Sequence, residues 1–318
     1  MCAKQITNLA FKGGGVKGTA YVGAVVVLEQ QGILKNVTKV AGTSAGSIMA
    51  GLLALKYSAQ EIFDKVFSMD MPKLEDDKHD LQVLKRYGLY AGDYFLDWMT
   101  DAVNNSPVFK GKNIEPTLKN LADNGGLELH CFTCDINNHN LVTLSPEKTP
   151  DVLVAEAVRS SMSIPLFFKA FQFSQGLPKD NLHVDGGMLY NYPINAFDEG
   201  IDNANPATLG FYLGLENKFP KPVEFGYGHI MKYIKNTFAT FLQAQHVHFI
   251  QHPKDVARTV FIDDFGEPPV DFQISDQMKT LLYQSGYKSC WEYLHEHSML
   301  TDLKTTNPYE EWIKGVTS

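Results

Sequence analysis

The 318-residue sequence predicts an α/β fold in which a parallel sheet carries helices on its faces. Three observations lead there. Near the N-terminus, strand-like and helix-like stretches alternate, the pattern of parallel strands joined by crossover helices. Hydrophobic residues at 44% and charged residues at 20% describe an ordinary folded chain, long enough to bury a large core. No internal repeat, low-complexity tract or linker divides it, so one domain with a mainly helical C-terminal elaboration is the simplest organisation.

The elements follow in order. Residues 6–11 are β-prone and apolar, and residues 12–18 make a glycine-rich turn. Residues 19–31 form an apolar helix stopped by Gly32, as a glycine just beyond a helix end stops it. A second strand spans 37–41 and a second helix 47–55. From about 59 to 124 the chain is more polar and helical, with helices at 59–67 and 93–103, Asp93 as an N-cap, and a charged loop at 75–80. This insertion stands where it would shape or cover a site. Strands return at 127–133 and 141–144 around Asn137-Asn138-His139-Asn140. A helix over 151–160 ends before Pro165, strands are expected at 168–173, 181–184 and 209–215, and a further strand at 259–262 interrupts a mostly helical remainder.

Gly42-Thr43-Ser44-Ala45-Gly46 lies between the second strand and the second helix. Strand, G-x-S-x-G and helix in that order describe a nucleophile elbow. The turn holds Ser44 in strained backbone, and its hydroxyl projects at a helix N-terminus whose free N–H groups support negative charge. The pattern alone is weak. Its flanks make Ser44 a candidate catalytic serine.

Gly13-Gly14-Gly15-Val16-Lys17-Gly18 contains G-x-G-x-x-G between a strand and a helix, the form of a dinucleotide fingerprint. That reading requires an acid about 20 residues on, and residues 36–41 hold none. A phosphate loop requires Gly-Lys-Ser/Thr, which is also missing. Asp264-Phe265-Gly266 spells a kinase motif without the companion motifs of a kinase. Consecutive glycines do offer bare N–H groups, the material of an oxyanion hole.

A serine nucleophile needs a base. Asp185-Gly186-Gly187 follows a strand, which sets Asp185 at the end of a sheet where α/β sites form. Two activations remain open: direct proton transfer to Asp185, or a Ser-His-Asp triad completed by a later histidine, among His229, His246, His248, His252, His295 and His297. His183 shares a strand face with Asp185.

The net charge of −8 argues against a nucleic-acid partner. Cys131 and Cys134 form C-x-x-C beside His130 and His139, but no second pair completes a zinc site, and a buried strand carrying small thiols is the better reading. No metal is expected. Residues 6–11 begin a strand almost at once, without an export signal, and no apolar run reaches membrane-spanning length. A cytoplasmic location is expected, peripheral where membranes are met; secretion by a signal-independent route would leave no trace.

Together, Gly13 to Gly18, Gly42 to Gly46 and Asp185-Gly186-Gly187 closely resemble the patatin-like phospholipases. Ser160-Ser161-Met162-Ser163-Ile164-Pro165 and Asn191-Tyr192-Pro193 are similar to segments that the family carries around its aspartate. The resemblance covers residues 6–200. It implies a three-layer patatin-like fold with a mostly parallel central sheet and a catalytic domain over 1–215; residues 216–318, the helical elaboration read from the sequence pattern, are less family-specific. It implies a dyad of Ser44 and Asp185 and an oxyanion hole at Gly13, Gly14, Gly15 and Val16. Lys17, Gly18, Gly42, Gly46, Gly186 and Gly187 would support these groups. The implied reaction is acyl-ester hydrolysis of phospholipids, lysophospholipids or neutral acylglycerols, without a cofactor. Implied partners are the lipid, a transient membrane surface, and an activator if the enzyme is latent. A soluble triad esterase and a non-catalytic lipid-binding protein are the competing readings.

Overall fold

Strand β1 (Asn8–Phe11) is buried along its whole length, as a central parallel strand should be. The computed structural model describes residues 6–76, 87–200, 203–214 and 230–300. The expected loop beyond residue 76, residue 215, Cys2, His229 and the segment after residue 300 lie outside the described residues. After β1, a 3-10 turn (Gly15–Thr19) leads into α1 (Ala20–Gln30), then β2 (Lys39–Gly42) and α2 (Ala45–Ala54). Gly32 beyond α1 has φ 71°, the left-handed conformation expected of a helix stop.

The insertion supplies α3 (Ala59–Ser68), a 3-10 turn (Met71–Leu74), β3 (Gly88–Tyr90), α4 (Asp93–Asn104) and α5 (Leu118–Asp123). Ser58 and Glu61 close a capping box on α3. Asp93 is not the N-cap of α4. Gly92 takes that position with φ 73°, and the Asp76 carboxylate accepts the Gly92 and Tyr94 N–H groups at 2.7 and 2.8 Å. A cap arriving from 16 residues upstream in the chain leaves no local signal.

The chain continues through β4 (Glu128–Asp135), β5 (Asn140–Leu144), α6 (Val154–Ser161), β6 (Leu166–Phe168), β7 (His183–Asp185), β8 (Thr208–Leu213), α7 (Ile230–Ile250), α8 (Pro253–Val256), β9 (Thr259–Ile262) and α9 (Asp276–Glu296). Helix α6 starts later than expected because Leu153 is held extended in a bridge with Thr117. The strand expected over 168–173 divides. Residues 166–168 pair with β3 in a separate two-stranded sheet, and Phe171 makes only a bridge to His183.

The main sheet runs β5-β4-β2-β1-β8-β9, with β7 also on β4. Strands β4, β2, β1, β8 and β9 are mutually parallel, and β5 and β7 run against β4. With its flanking helices this is the expected three-layer, mostly parallel α/β class. Helix α1 is apolar all round and buried from Ala20 to Leu28, because α9 packs along it. The two backbones meet at glycines: a Cβ on Gly23 would stand 2.0 Å from the Tyr283 carbonyl oxygen. Among the described residues, no helix is long and apolar enough to cross a membrane.

Candidate active site

The end of β2 turns sharply into α2, and Ser44 occupies the turn with φ 52° and ψ −127°. A non-glycine residue there carries strain of roughly 1–3 kcal/mol, held only because its surroundings are fixed. A Cβ on Gly42 would lie 2.1 Å from the Gly46 carbonyl oxygen, and one on Gly46 would lie 2.2 Å from that of Phe11. Only glycines let strand, turn and helix approach this closely. The Ser44 carbonyl accepts the Ser47 hydroxyl at 2.6 Å, and the Ser44 N–H donates to Ser161 Oγ at 3.1 Å. Thr43 Oγ1 ties the turn to the Tyr190 carbonyl at 2.8 Å.

Asp185 closes β7. That strand runs antiparallel to β4, so Asp185 reaches the carboxyl end of β2 from the opposite direction. Its N–H donates to the Ser163 carbonyl at 2.8 Å, and Oδ1 accepts the Gly187 N–H at 2.7 Å. Oδ2 is buried with no partner at hydrogen-bond geometry. Burial pushes this carboxyl up to about 7, against the opposing pull of the Ser44 hydroxyl and the Gly187 N–H. A carboxyl poised near neutrality beside a hydroxyl is what a proton acceptor at that pH needs. Gly186 sits against the Phe132 carbonyl, where a Cβ would come within 2.3 Å.

The glycine loop runs alongside. A Cβ on Gly13 would be 3.1 Å from the Ser44 Cβ. The Gly13 N–H already donates to the Asn191 carbonyl at 2.9 Å, and the Val16 N–H to that of Pro269 at 3.0 Å. These two donors are therefore engaged elsewhere. The N–H groups of Gly14 and Gly15 have no protein acceptor among the described residues. Lys17 is not a solvated lysine: its ammonium meets the Asp264 carboxylate at 2.6 Å, both side chains mostly buried. Gly18 packs on Ala45.

Ser44, Gly15, Val16 and Gly18 border a pocket of about 650 Å³, counting its space open to solvent. Its walls are apolar: Met49 from α2, Met69, Met71 and Leu74 from the insertion, and Phe168 and Phe272 opposite.

No histidine within the described residues bonds to Ser44 or Asp185. His183 is buried against the Phe173 ring, its Nε2 is 3.9 Å from Asp135 Oδ2, and both ring nitrogens lack hydrogen-bond partners. His246 Nδ1 pairs with the Tyr212 hydroxyl at 2.6 Å. His295 and His297 stack on Trp291 and Tyr293. Cys131 and Cys134 are buried free thiols, and burial raises both.

Several further residues frame the site through partners distant in sequence. Ser161 and Ser163 stand in a segment whose likeness to a known family was visible, but their two bonds were not. Arg159 is fully buried and donates to Ser163 Oγ at 2.6 Å and to the Gly92 and Ala91 carbonyls at 2.9 Å each. Asp264 and Pro269 reach the glycine loop from some 250 residues downstream, and nothing local marks them as its partners.

A family model described as patatin-like phospholipase matches residues 9–198. The uncharacterized protein YqhO of Bacillus subtilis is 31% identical over 87% of this chain and 94% of its own length. Among solved structures, VipD from Legionella pneumophila superimposes with a TM-score of 0.61 at 16% identity, over 92% of this chain and 67% of that one. The ExoU–SpcU complex of Pseudomonas aeruginosa gives 0.52 at 21% identity, over 92% and 52%. At such identities these two likenesses concern the fold.

Proposed function

The chain belongs to the patatin-like phospholipase family, and from that premise we propose that it is a lipid acyl hydrolase whose nucleophile is Ser44 and whose base is Asp185. Family membership supports the hydrolysis of lipid esters. The observation that carries the finer reading is the buried, unpartnered Oδ2 of Asp185 next to Ser44 at a strained elbow, on the border of an apolar pocket.

An acyl chain enters the apolar pocket and leaves its ester carbonyl at Ser44. Ionised Asp185 takes the hydroxyl proton as Oγ bonds to the carbonyl carbon, and the carbonyl oxygen gains the negative charge. The Gly14 and Gly15 N–H groups, with the N-terminus of α2, hold that oxyanion. The carbonyl re-forms, the alcohol leaves with the proton from Asp185, and an acyl-enzyme remains. Water then gives its proton to Asp185 and attacks the acyl carbon, releasing the fatty acid and restoring Ser44. The lipid substrate brings the protein to a membrane surface for each turnover.

The test is hydrolysis of a phospholipid and a short-chain ester by wild type, Ser44→Ala and Asp185→Asn, with and without a chelator. Activity that survives chelation and is lost in both folded variants is the expected result. Activity that persists in Asp185→Asn removes Asp185 as base. A wild type without activity on either substrate overturns the reading as a free-standing hydrolase.

A further inference from the structure

We propose that Gln245, on helix α7, is a positioning residue that holds the Asp185 turn and the glycine loop in one arrangement. The inference rests on the dyad reading above. It concerns a helix that lies beyond the matched residues 9–198 and that no motif marks.

Gln245 uses both ends of its amide on the site. Nε2 donates to the Gly187 carbonyl at 2.7 Å and to that of Met188 at 3.2 Å, and Oε1 accepts the Asn191 N–H at 2.7 Å. Only one amide orientation fits, since two partners are carbonyls and the third is an N–H. Gly187 is the residue whose N–H holds Asp185 Oδ1. Asn191 is buried, its carbonyl accepts the Gly13 N–H at 2.9 Å, and its Nδ2 donates to the Gly13 carbonyl at 3.4 Å. One side chain thus fixes the peptide next to the base and the residue that ties the glycine loop.

Helix α7 is itself anchored. His246 Nδ1 bonds the Tyr212 hydroxyl at 2.6 Å, and the Phe249 ring stacks on Tyr212 and meets Tyr192 edge-on. These contacts seat the helix on β8 without Gln245. A purely mechanical tether at Gln245 would therefore be redundant, whereas its three bonds all fall on segments that carry the proposed chemistry. Removing them frees the Gly187 peptide and weakens its donation to Asp185. Among the described residues, the other groups facing that carboxyl are the Ser44 hydroxyl and the Cys134 thiol of β4, and the thiol stays protonated. Loosening the turn should then move the ionisation of Asp185 to higher pH and slow attack by Ser44.

The experiment follows the rate at which a soluble fluorophosphonate labels Ser44 across pH, together with thermal unfolding. The proteins are wild type, Asp185→Asn, Gln245→Met, which is near-isosteric and makes none of the three bonds, and Gln245→Glu, which keeps the acceptor for Asn191 but faces two carbonyls without a donor. We expect little labelling of Asp185→Asn. For both Gln245 variants we expect about tenfold to a hundredfold slower labelling, with the acid limb displaced to higher pH. Should Gln245→Met not fold, Gln245→Glu is read in the same way. A Gln245 variant that labels at the wild-type rate and limb while Asp185→Asn stays silent overturns the positioning role and leaves the dyad. Lower unfolding temperature with an unmoved limb also overturns it. If Asp185→Asn labels like wild type, the dyad fails and this inference falls with it.

Discussion

Gly42 and Asp185 approach one edge of β4 from opposite directions, Gly42 paired with Cys131 and Asp185 with Thr133. A strand that belongs to neither motif therefore sets how near the elbow and the aspartate turn come. The end of α6 adds a second brace, with Ser161 Oγ accepting the Ser44 N–H and the Ser163 carbonyl accepting the Asp185 N–H. Because these attachments come from separate residues, they can be removed one at a time.

The pH dependence of the reaction follows from Asp185. Its carboxyl is pushed up to about 7 by burial, and as the proposed base it would have to be ionised to accept the Ser44 proton. kcat/KM on a soluble ester should therefore rise with pH through about 7 and level off above it. A profile already flat from pH 5 to 8 would rule out a base with that ionisation.

Folding stability should change with the same group. A carboxyl raised in the folded state binds its proton more tightly there than in the unfolded chain. Its stabilising contribution is complete below the unfolded value of 3.8 and is lost as pH rises through about 7. At pH 8 the fold holds a buried charge, and Asp185→Asn removes it. This variant should be more stable than wild type at pH 8 by on the order of 1 to 4 kcal/mol, with the gain shrinking towards pH 4. Denaturant unfolding at the two pH values measures it. An equal difference at both would show that ionisation of Asp185 is not the cause.

Ser161→Ala should cost more than a surface serine. It removes the acceptor of the buried Ser44 N–H at the strained elbow. An orphaned buried donor costs about 1–3 kcal/mol, and relaxation of the turn would move Oγ. Reduced stability with kcat lowered and KM nearly unchanged is the expected pattern in urea titration and ester kinetics. Wild-type values in both would mean that α6 does not brace Ser44.

Much of this arrangement was legible because its cause is local. An apolar run between turns makes β1, and G-x-S-x-G between a strand and a helix leaves Ser44 one backbone path. The failures share one cause, a partner distant in sequence. Asp93 reads as a cap until Asp76 is seen to hold that helix end. Residues 168–173 read as one strand because nothing local says that residues 166–168 pair with β3. In the glycine loop, the Gly13 and Val16 N–H groups bond to the Asn191 and Pro269 carbonyls, partners just as distant in sequence.

The glycine loop offers the sharpest contrast between neighbouring positions. Gly15 has φ 58°, and a Cβ there would lie 1.6 Å from the Pro269 carbonyl oxygen, which is backbone and cannot turn aside. A Cβ on Gly14 would instead meet Leu213 Cδ1 at 2.6 Å, the far end of a side chain that can rotate. Gly15→Ala must therefore push the loop or the Pro269 segment out of place. That move also breaks the bond from the Val16 N–H to Pro269 and would disturb a proposed oxyanion donor. We expect kcat to fall by about 10²- to 10³-fold in folded Gly15→Ala, and by clearly less in Gly14→Ala. Steady-state kinetics on a short-chain ester, with unfolding temperatures as control, decides the matter. Equal losses at both positions would point to loop flexibility as the requirement. A larger loss at Gly14 would identify its N–H as the principal oxyanion donor.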